Sequence, residues 1–269
     1  MTSTDIRDAL TKVPAVTLTF WIIKILATTL GETGGDSVTM SWLGETTDHA
    51  VANGYLIGTA IFAAALIVLV ILQIAAKKFH PFLYWATIVA STTAGTTMAD
   101  FFDRSLGIGY TGGSLTLFAL VLASLGAWYW SQGTVSVNTV NTPKVEAFYW
   151  ITITFSQTLG TALGDWAADT GGLGYGDGAL VFAGALALIA AAYFFTKISR
   201  VLLFWMAFIL TRPFGATAGD LLDKPIAHGG MNFSRPLASL VMAIAIIICI
   251  LVFPQRAGSH EPPAVGSHA

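Results

Sequence analysis

Cysteine is nearly absent from this chain. Its single copy, Cys249, lies in an apolar run, which excludes an intrachain disulfide and a cysteine metal site. Charge is scarce as well: 10% of the 269 residues are charged, against about a quarter in soluble domains. No stretch is long and polar enough for a separate soluble domain. A secretory leader pattern is missing, because acids and polar residues (MTSTDIRDALTKVP) precede a full-length apolar run. The net charge of −2 says little by itself, and no nucleic-acid partner is expected.

What is abundant is hydrophobic surface, at 55% of residues. Runs of about 20 apolar residues recur, and each is long enough to cross a hydrocarbon core roughly 30 Å thick. The runs predict eight transmembrane helices at about 14–33, 53–76, 82–103, 112–131, 145–168, 178–197, 201–221 and 235–253. The expected fold is an all-α membrane protein with one transmembrane domain, 1–253. A polar tail, 254–269, is expected to be disordered; its His260 and His268 are given no role.

The odd-numbered spans carry one motif four times without a gap: FWIIKILATTLGETGGD (Phe20–Asp36), YWATIVASTTAGTTMAD (Tyr84–Asp100), YWITITFSQTLGTALGD (Tyr149–Asp165) and FWMAFILTRPFGATAGD (Phe204–Asp220). Three features never change: Trp21/85/150/205, Gly31/95/160/215 and Asp36/100/165/220. The even spans are apolar all round and read as scaffold. Four helix-pair repeats follow, at about 14–76, 82–131, 145–197 and 201–253, parallel in orientation, with pseudo-symmetry about the membrane normal. Between the helices of each pair lie Gly-rich connections that permit irregular backbone. The second and fourth copies end DFFDR and DLLDK, and the other two do not, which suggests two successive duplications.

Lys and Arg residues sort unevenly between the two sides. Eight (Arg7, Lys12, Lys77, Lys78, Lys144, Lys197, Arg200, Arg256) lie with the termini, and Arg104, Lys224 and Arg235 lie opposite. The positive-inside rule therefore places both termini in the cytoplasm. Eleven acids gather at the other side, where an acidic cleft would concentrate cations. Each repeated Trp sits near the cytoplasmic start of its helix, at the depth of an aromatic belt. The repeated Asp follows fifteen residues later, about 22 Å along a helix. Four carboxylates at one level form a cation-selecting ring; the alternative is that each caps a turn.

Copy-specific residues refine the site. Glu32 is one turn before Asp36, so the first copy alone has paired carboxylates. Asp100, Asp165 and Asp220 would assist them, with hydroxyls from Thr29, Thr93 and Thr158. Carboxylate and hydroxyl oxygens without Cys or His suit a hard divalent cation. Lys24, near mid-membrane, needs a partner or a water path and is read as a coupling group. Arg212, beside a kinking Pro213, is read as the counter-ion of Asp220 or Glu32. Asp103/Arg104 and Asp223/Lys224 read as surface or interface ion pairs. A rival motif, Gly174-Tyr175-Gly176-Asp177, matches the GxGD of intramembrane aspartyl proteases, with Asp165 as second acid.

With Trp21, Trp85, Trp150 and Trp205 in place, nearly the whole chain resembles bacterial membrane proteins built of four tandem repeats of unknown function, each with two transmembrane passes and one Trp. The resemblance implies an inner-membrane protein and no settled activity. Glu32-Thr-Gly-Gly-Asp36-Ser is also similar to the E-x-G-D-K/R-T/S motif of a cation-exchanger family, one residue longer and without its basic residue. The expectation is a non-enzymatic inner-membrane transporter that carries a hard divalent cation as substrate, Mn²⁺ favoured, with export preferred to import. It would have no tightly bound cofactor; its partners would be membrane lipid and the metal cation, and a homo-oligomer is left open. The alternatives are a cation channel with a ring of four Asp, the protease, or a passive membrane scaffold or sensor.

Overall fold

Helix starts follow from local chemistry. The hydroxyls of Thr17, Thr142 and Ser199 accept the N–H groups of Phe20, Val145 and Leu202, and Pro81 and Pro143 open their helices. A computed structural model describes residues 10–259. These form eight α-helices: α1 (Leu18–Asp36), α2 (Gly54–Ala75), α3 (Pro81–Asp100), α4 (Gly109–Gln132), α5 (Pro143–Asp165), α6 (Gly174–Phe195), α7 (Arg200–Asp223) and α8 (Arg235–Val252). A short antiparallel ribbon joins β1 (Leu10–Pro14) to β2 (Ala257–Ser259). Asp5, Arg7, Asp8, His260, Glu261, His268 and most of the expected tail lie outside the described residues. The start of that tail is ordered by the ribbon, a pairing too distant along the chain to be read locally.

The odd helices form the interior. α1 packs on α3, α3 on α5, α5 on α7, and α7 back on α1, so four helices close a ring. The even helices lie outside it, and each packs on the inner helix that follows it: α2 on α3, α4 on α5, α6 on α7, and α8 on α1. The outer helices turn large apolar side chains outward, among them Ile67, Leu180, Leu188 and Leu251. Five helices, α2, α4, α6, α7 and α8, are long and apolar enough to cross a membrane. α1, α3 and α5 are more polar because their Thr, Ser, Gly and acidic residues are buried against one another inside the ring.

The repeated glycine makes the ring tight. A Cβ on Gly31 would overlap the side chain of Thr92, on Gly95 the backbone of Gln157, on Gly160 the side chain of Arg212, and on Gly215 the side chain of Thr28. Thr92, Gln157, Arg212 and Thr28 occupy one position of the repeat, and each faces the glycine of the preceding inner helix. The same approach therefore recurs at all four seams.

The repeated aromatics close one end. Phe20 meets Trp85, Tyr84 meets Trp150, Tyr149 meets Trp205, and Phe204 meets Trp21, with ring centroids 5.4–6.4 Å apart. The Tyr84 and Tyr149 hydroxyls are 2.6 Å apart. Trp85, Trp150 and Trp205 are buried, so the expected aromatic belt is instead an aromatic floor. Tyr129, Trp130 and Tyr193, near the ends of outer helices, are among the exposed aromatics at this end, with Phe82, Phe194, Phe195 and Phe253. The ribbon and Val137, Val140 and Val145 pack beneath the floor, and Lys12 ties them down through Glu146 at 2.6 Å and the Ile74 carbonyl at 3.0 Å.

At the other end α1, α3 and α5 run directly into π-helical turns, at Ser37–Trp42, Phe101–Ser105 and Trp166–Thr170. The Gly-rich segment after Gly31 is thus helical rather than irregular. Irregular backbone comes later, where Gly107 and Gly109, like Gly172 and Gly174, take positive φ. α7 runs unbroken through Pro213.

Overpacking a tight core costs roughly 1–3 kcal/mol. Gly95→Ala meets backbone at 2.9 Å and is expected to lower the thermal midpoint of the detergent-solubilised protein by several degrees. Gly126→Ala, with nothing within 4 Å of the added Cβ, is expected to hold or raise it.

Candidate functional site

Residues four apart on a helix share a face. On each inner helix the buried stripe follows that spacing: Phe20-Lys24-Thr28-Glu32-Asp36 on α1, Tyr84-Ile88-Thr92-Thr96-Asp100 on α3, Tyr149-Ile153-Gln157-Thr161-Asp165 on α5, and Phe204-Phe208-Arg212-Ala216-Asp220 on α7. Four stripes around one axis make five layers. The layers run from the aromatic floor, through a mostly apolar layer and two polar ones, to the four aspartates.

Arg212 organises the middle. Its Nη1 and Nη2 donate to Glu32 Oε2 at 3.0 and 2.9 Å, and Nη2 also reaches Thr96 Oγ1 at 2.6 Å and Thr161 Oγ1 at 2.5 Å. Those partners sit on the other three inner helices, so one guanidinium holds the ring together. Arg212 and Glu32 are fully enclosed, with side chains 0% and 3% exposed. Lys24 lies below. It crosses the ring to Gln157 Oε1 at 3.5 Å, and its ammonium stands 4.2 Å from the Phe208 ring centroid. The partner that Lys24 needs is thus supplied by an amide and an aromatic face.

The aspartates form two ion-paired couples. Lys224 Nζ sits between Asp36 Oδ2 at 2.6 Å and Asp220 Oδ1 at 3.0 Å. Arg104 bonds Asp100 Oδ1 at 2.7 Å and reaches Asp165 Oδ2 at 3.7 Å. Arg104 and Lys224 are thus not surface partners of their sequence neighbours. Each lies one turn beyond the Asp of its own helix, an i,i+4 spacing that signals a pair, and each also spans to the next helix of the ring. Asp223 faces Arg235 at 3.6 Å, and Asp103 is buried against Gly113.

The capping alternative does not describe these acids. Asp36, Asp100 and Asp165 lie at the junction of α-helix and π-turn, yet none makes a side-chain capping bond. Asp36 Oδ1 and Asp100 Oδ2 are buried without a hydrogen-bond partner among the described residues. Glu32, Asp36 and Asp220 each offer a carboxylate oxygen, all within 4.8 Å of one another. This trio is the candidate metal centre. Asp100 and Asp165 form the second couple, outside it.

The three threonines expected to assist do not join this layer. Thr29 donates to the Ile25 carbonyl, Thr93 to Val89 and Thr158 to Thr154, each within its own helix. The hydroxyls that reach the Arg212 guanidinium are those of Thr96 and Thr161. The two acids of the rival motif lie in different settings: Asp177 is exposed in the first turn of α6, while Asp165 is buried beside Arg104. The four aspartates of this layer are not equivalent, because the two couples carry different bases.

Against families of known proteins, four successive segments, 19–79, 83–134, 148–199 and 203–256, match one model described as Repeat of Unknown Function (DUF347). No curated protein and no solved structure matches.

Breaking one side of a buried ion pair costs roughly 3–5 kcal/mol, because the partner charge is left uncompensated. Arg212→Met is expected to destabilise the protein by about that much, and Glu32→Gln together with Arg212→Met to recover most of the loss. Thermal unfolding of the single and double variants measures the coupling.

Proposed function

This chain belongs to the DUF347 repeat family, and we propose that it is a membrane carrier for a hard divalent cation, Mn²⁺ foremost. The observation that carries this reading is the convergence of Glu32, Asp36 and Asp220 within 4.8 Å, all buried. Oxygen donors without Cys or His match hard cations.

The charge balance supports a divalent substrate. Seven acids are buried at this end: Glu32, Asp36, Asp100, Asp103, Asp165, Asp220 and Asp223. Five bases face them or lie below: Lys24, Arg104, Arg212, Lys224 and Arg235. With all ionised, two negative charges remain, which one divalent cation neutralises. Low-dielectric walls would strengthen that attraction.

In this reading Lys224 is a tethered cation. Its ammonium holds Asp36 and Asp220 together when no metal is bound, and it swings aside as the metal takes their oxygens. Arg212 stays on Glu32 Oε2, which leaves Oε1 to the substrate. The acidic end is the entry, since the bases that stand over the acids there, Arg104, Lys224 and Arg235, have side chains 32%, 10% and 16% exposed. The aromatic floor and ribbon form the thicker opposite barrier. All eight helices would span the bilayer as four parallel repeats, the polar α1, α3 and α5 being shielded by the outer four. Both termini would face the cytoplasm of a bacterial inner membrane, on the side of the basic residues.

Reconstituted vesicles loaded with a Mn²⁺-sensitive dye test the proposal and report direction. Wild type is expected to move Mn²⁺. Asp36→Asn and Asp220→Asn should slow it by at least the roughly 10–100-fold that losing even an outer-shell partner costs a metal site. Asp177→Asn should be without effect. Folded wild-type protein that moves no divalent cation would refute the reading.

A further inference from the structure

The four seams of the ring differ at the aromatic end. At three of them the repeated Trp is buried: Trp85, Trp150 and Trp205 are 1–3% exposed. Trp85 and Trp205 also donate their indole N–H to Gln255 and to the Val135 carbonyl. Trp21 is instead partly open, and it lines a groove of about 600 Å³ between α1, α6 and α7. This seam joins the first inner helix to the last, where no direct chain connection links the two.

The groove has the form of an amphiphile site. Its walls are apolar, from Leu18, Trp21, Ile189, Phe194, Phe204 and Ala207. Its mouth carries Thr17, Ser136 and Arg200. The exposed Arg200 guanidinium lies 4.5 Å over the Tyr193 ring and is bonded to the Thr196 carbonyl at 3.3 Å. Two of the walls, α6 and α7, are apolar enough to cross the membrane, so the groove opens toward acyl chains. Its volume lies within the roughly 300–1,000 Å³ of small-molecule sites. The inner end reaches Thr211, the residue before Arg212, and the Thr211 carbonyl accepts the Thr28 hydroxyl across the seam at 3.1 Å.

We propose that this groove binds one anionic phospholipid, its acyl chain along Trp21 and Phe204 and its phosphate on Arg200. A basic pocket between membrane helices favours an anionic headgroup. Seated there, the lipid replaces the packing that Gln255 and Val135 give to Trp85 and Trp205, and it braces the seam that the Arg212–Glu32 bridge crosses. The site is independent of what the acidic end binds.

Phospholipids with brominated acyl chains quench Trp fluorescence on contact, and they provide the test in full-length protein reconstituted at fixed lipid ratios. Brominated phosphatidylglycerol is expected to quench wild type several-fold more effectively than brominated phosphatidylcholine. Trp21→Phe should remove that extra component, and Arg200→Gln should equalise the two lipids. Ala207→Phe, which fills the groove, should abolish the preference with the thermal midpoint held within a few degrees. Equal quenching by both lipids in wild type, or an anionic preference unaltered by Arg200→Gln or by Trp21→Phe, would overturn the site. So would a dimer that covers Trp21 and is dissociated by Ala207→Phe.

Discussion

A charge moved into a bilayer-sized protein has to be met by another, because the low-dielectric interior penalises it heavily when alone. The whole inner ring is arranged around that constraint. Arg212 serves Glu32, Thr96 and Thr161 at once, so the helices α1, α3, α5 and α7 are tied through one guanidinium. Lys224 and Arg104 then couple the aspartates two by two. Removal of the central cation would leave Glu32 unmet in a site closed to water.

The repeat supplies the frame and its exceptions supply the chemistry. Glycine at one position lets each inner helix approach the next, and aromatic-Trp pairs seal one end at all four seams. At the layer where Arg212 stands, the other copies hold Thr28, Thr92 and Gln157; at the layer of Glu32 they hold Thr96, Thr161 and Ala216. One cation and one anion thus sit among neutral hydrogen-bonding or small residues, a polarity that four identical copies could not provide. Groups of this kind set a cavity's charge and its selectivity.

Much of this is legible in the chain itself. Equal spacing of Trp, Gly and Asp in four segments predicts inner helices of one kind, and the helix limits agree within a few residues. The Arg212–Glu32 pair is legible because both residues interrupt a repeat at neighbouring layers. Sequence adjacency misleads at Arg104 and Lys224: the adjacent acids Asp103 and Asp223 attract attention, whereas the helical spacing of four points to Asp100 and Asp220. Their second partners, Asp165 and Asp36, depend on which helices are neighbours in the ring, and no local pattern carries that. Trp near a helix start reads as a membrane belt, and packing against the next copy overrides the preference. Thr29, Thr93 and Thr158 lie one residue from the inward stripe, and on a helix one residue is a rotation of about 100°. The ribbon of β1 and β2 joins the two ends of the described chain and has no short-range signal.

The account stands or falls on whether Glu32, Asp36 and Asp220 form a cation site together. Anomalous diffraction at the manganese edge, from crystals of the full chain soaked in Mn²⁺, locates the ion directly. The account predicts one strong peak enclosed by those three carboxylates, with the Lys224 ammonium displaced from Asp36. Its contradiction would be saturating Mn²⁺ that yields no peak there, or a peak only at sites remote from the three side chains.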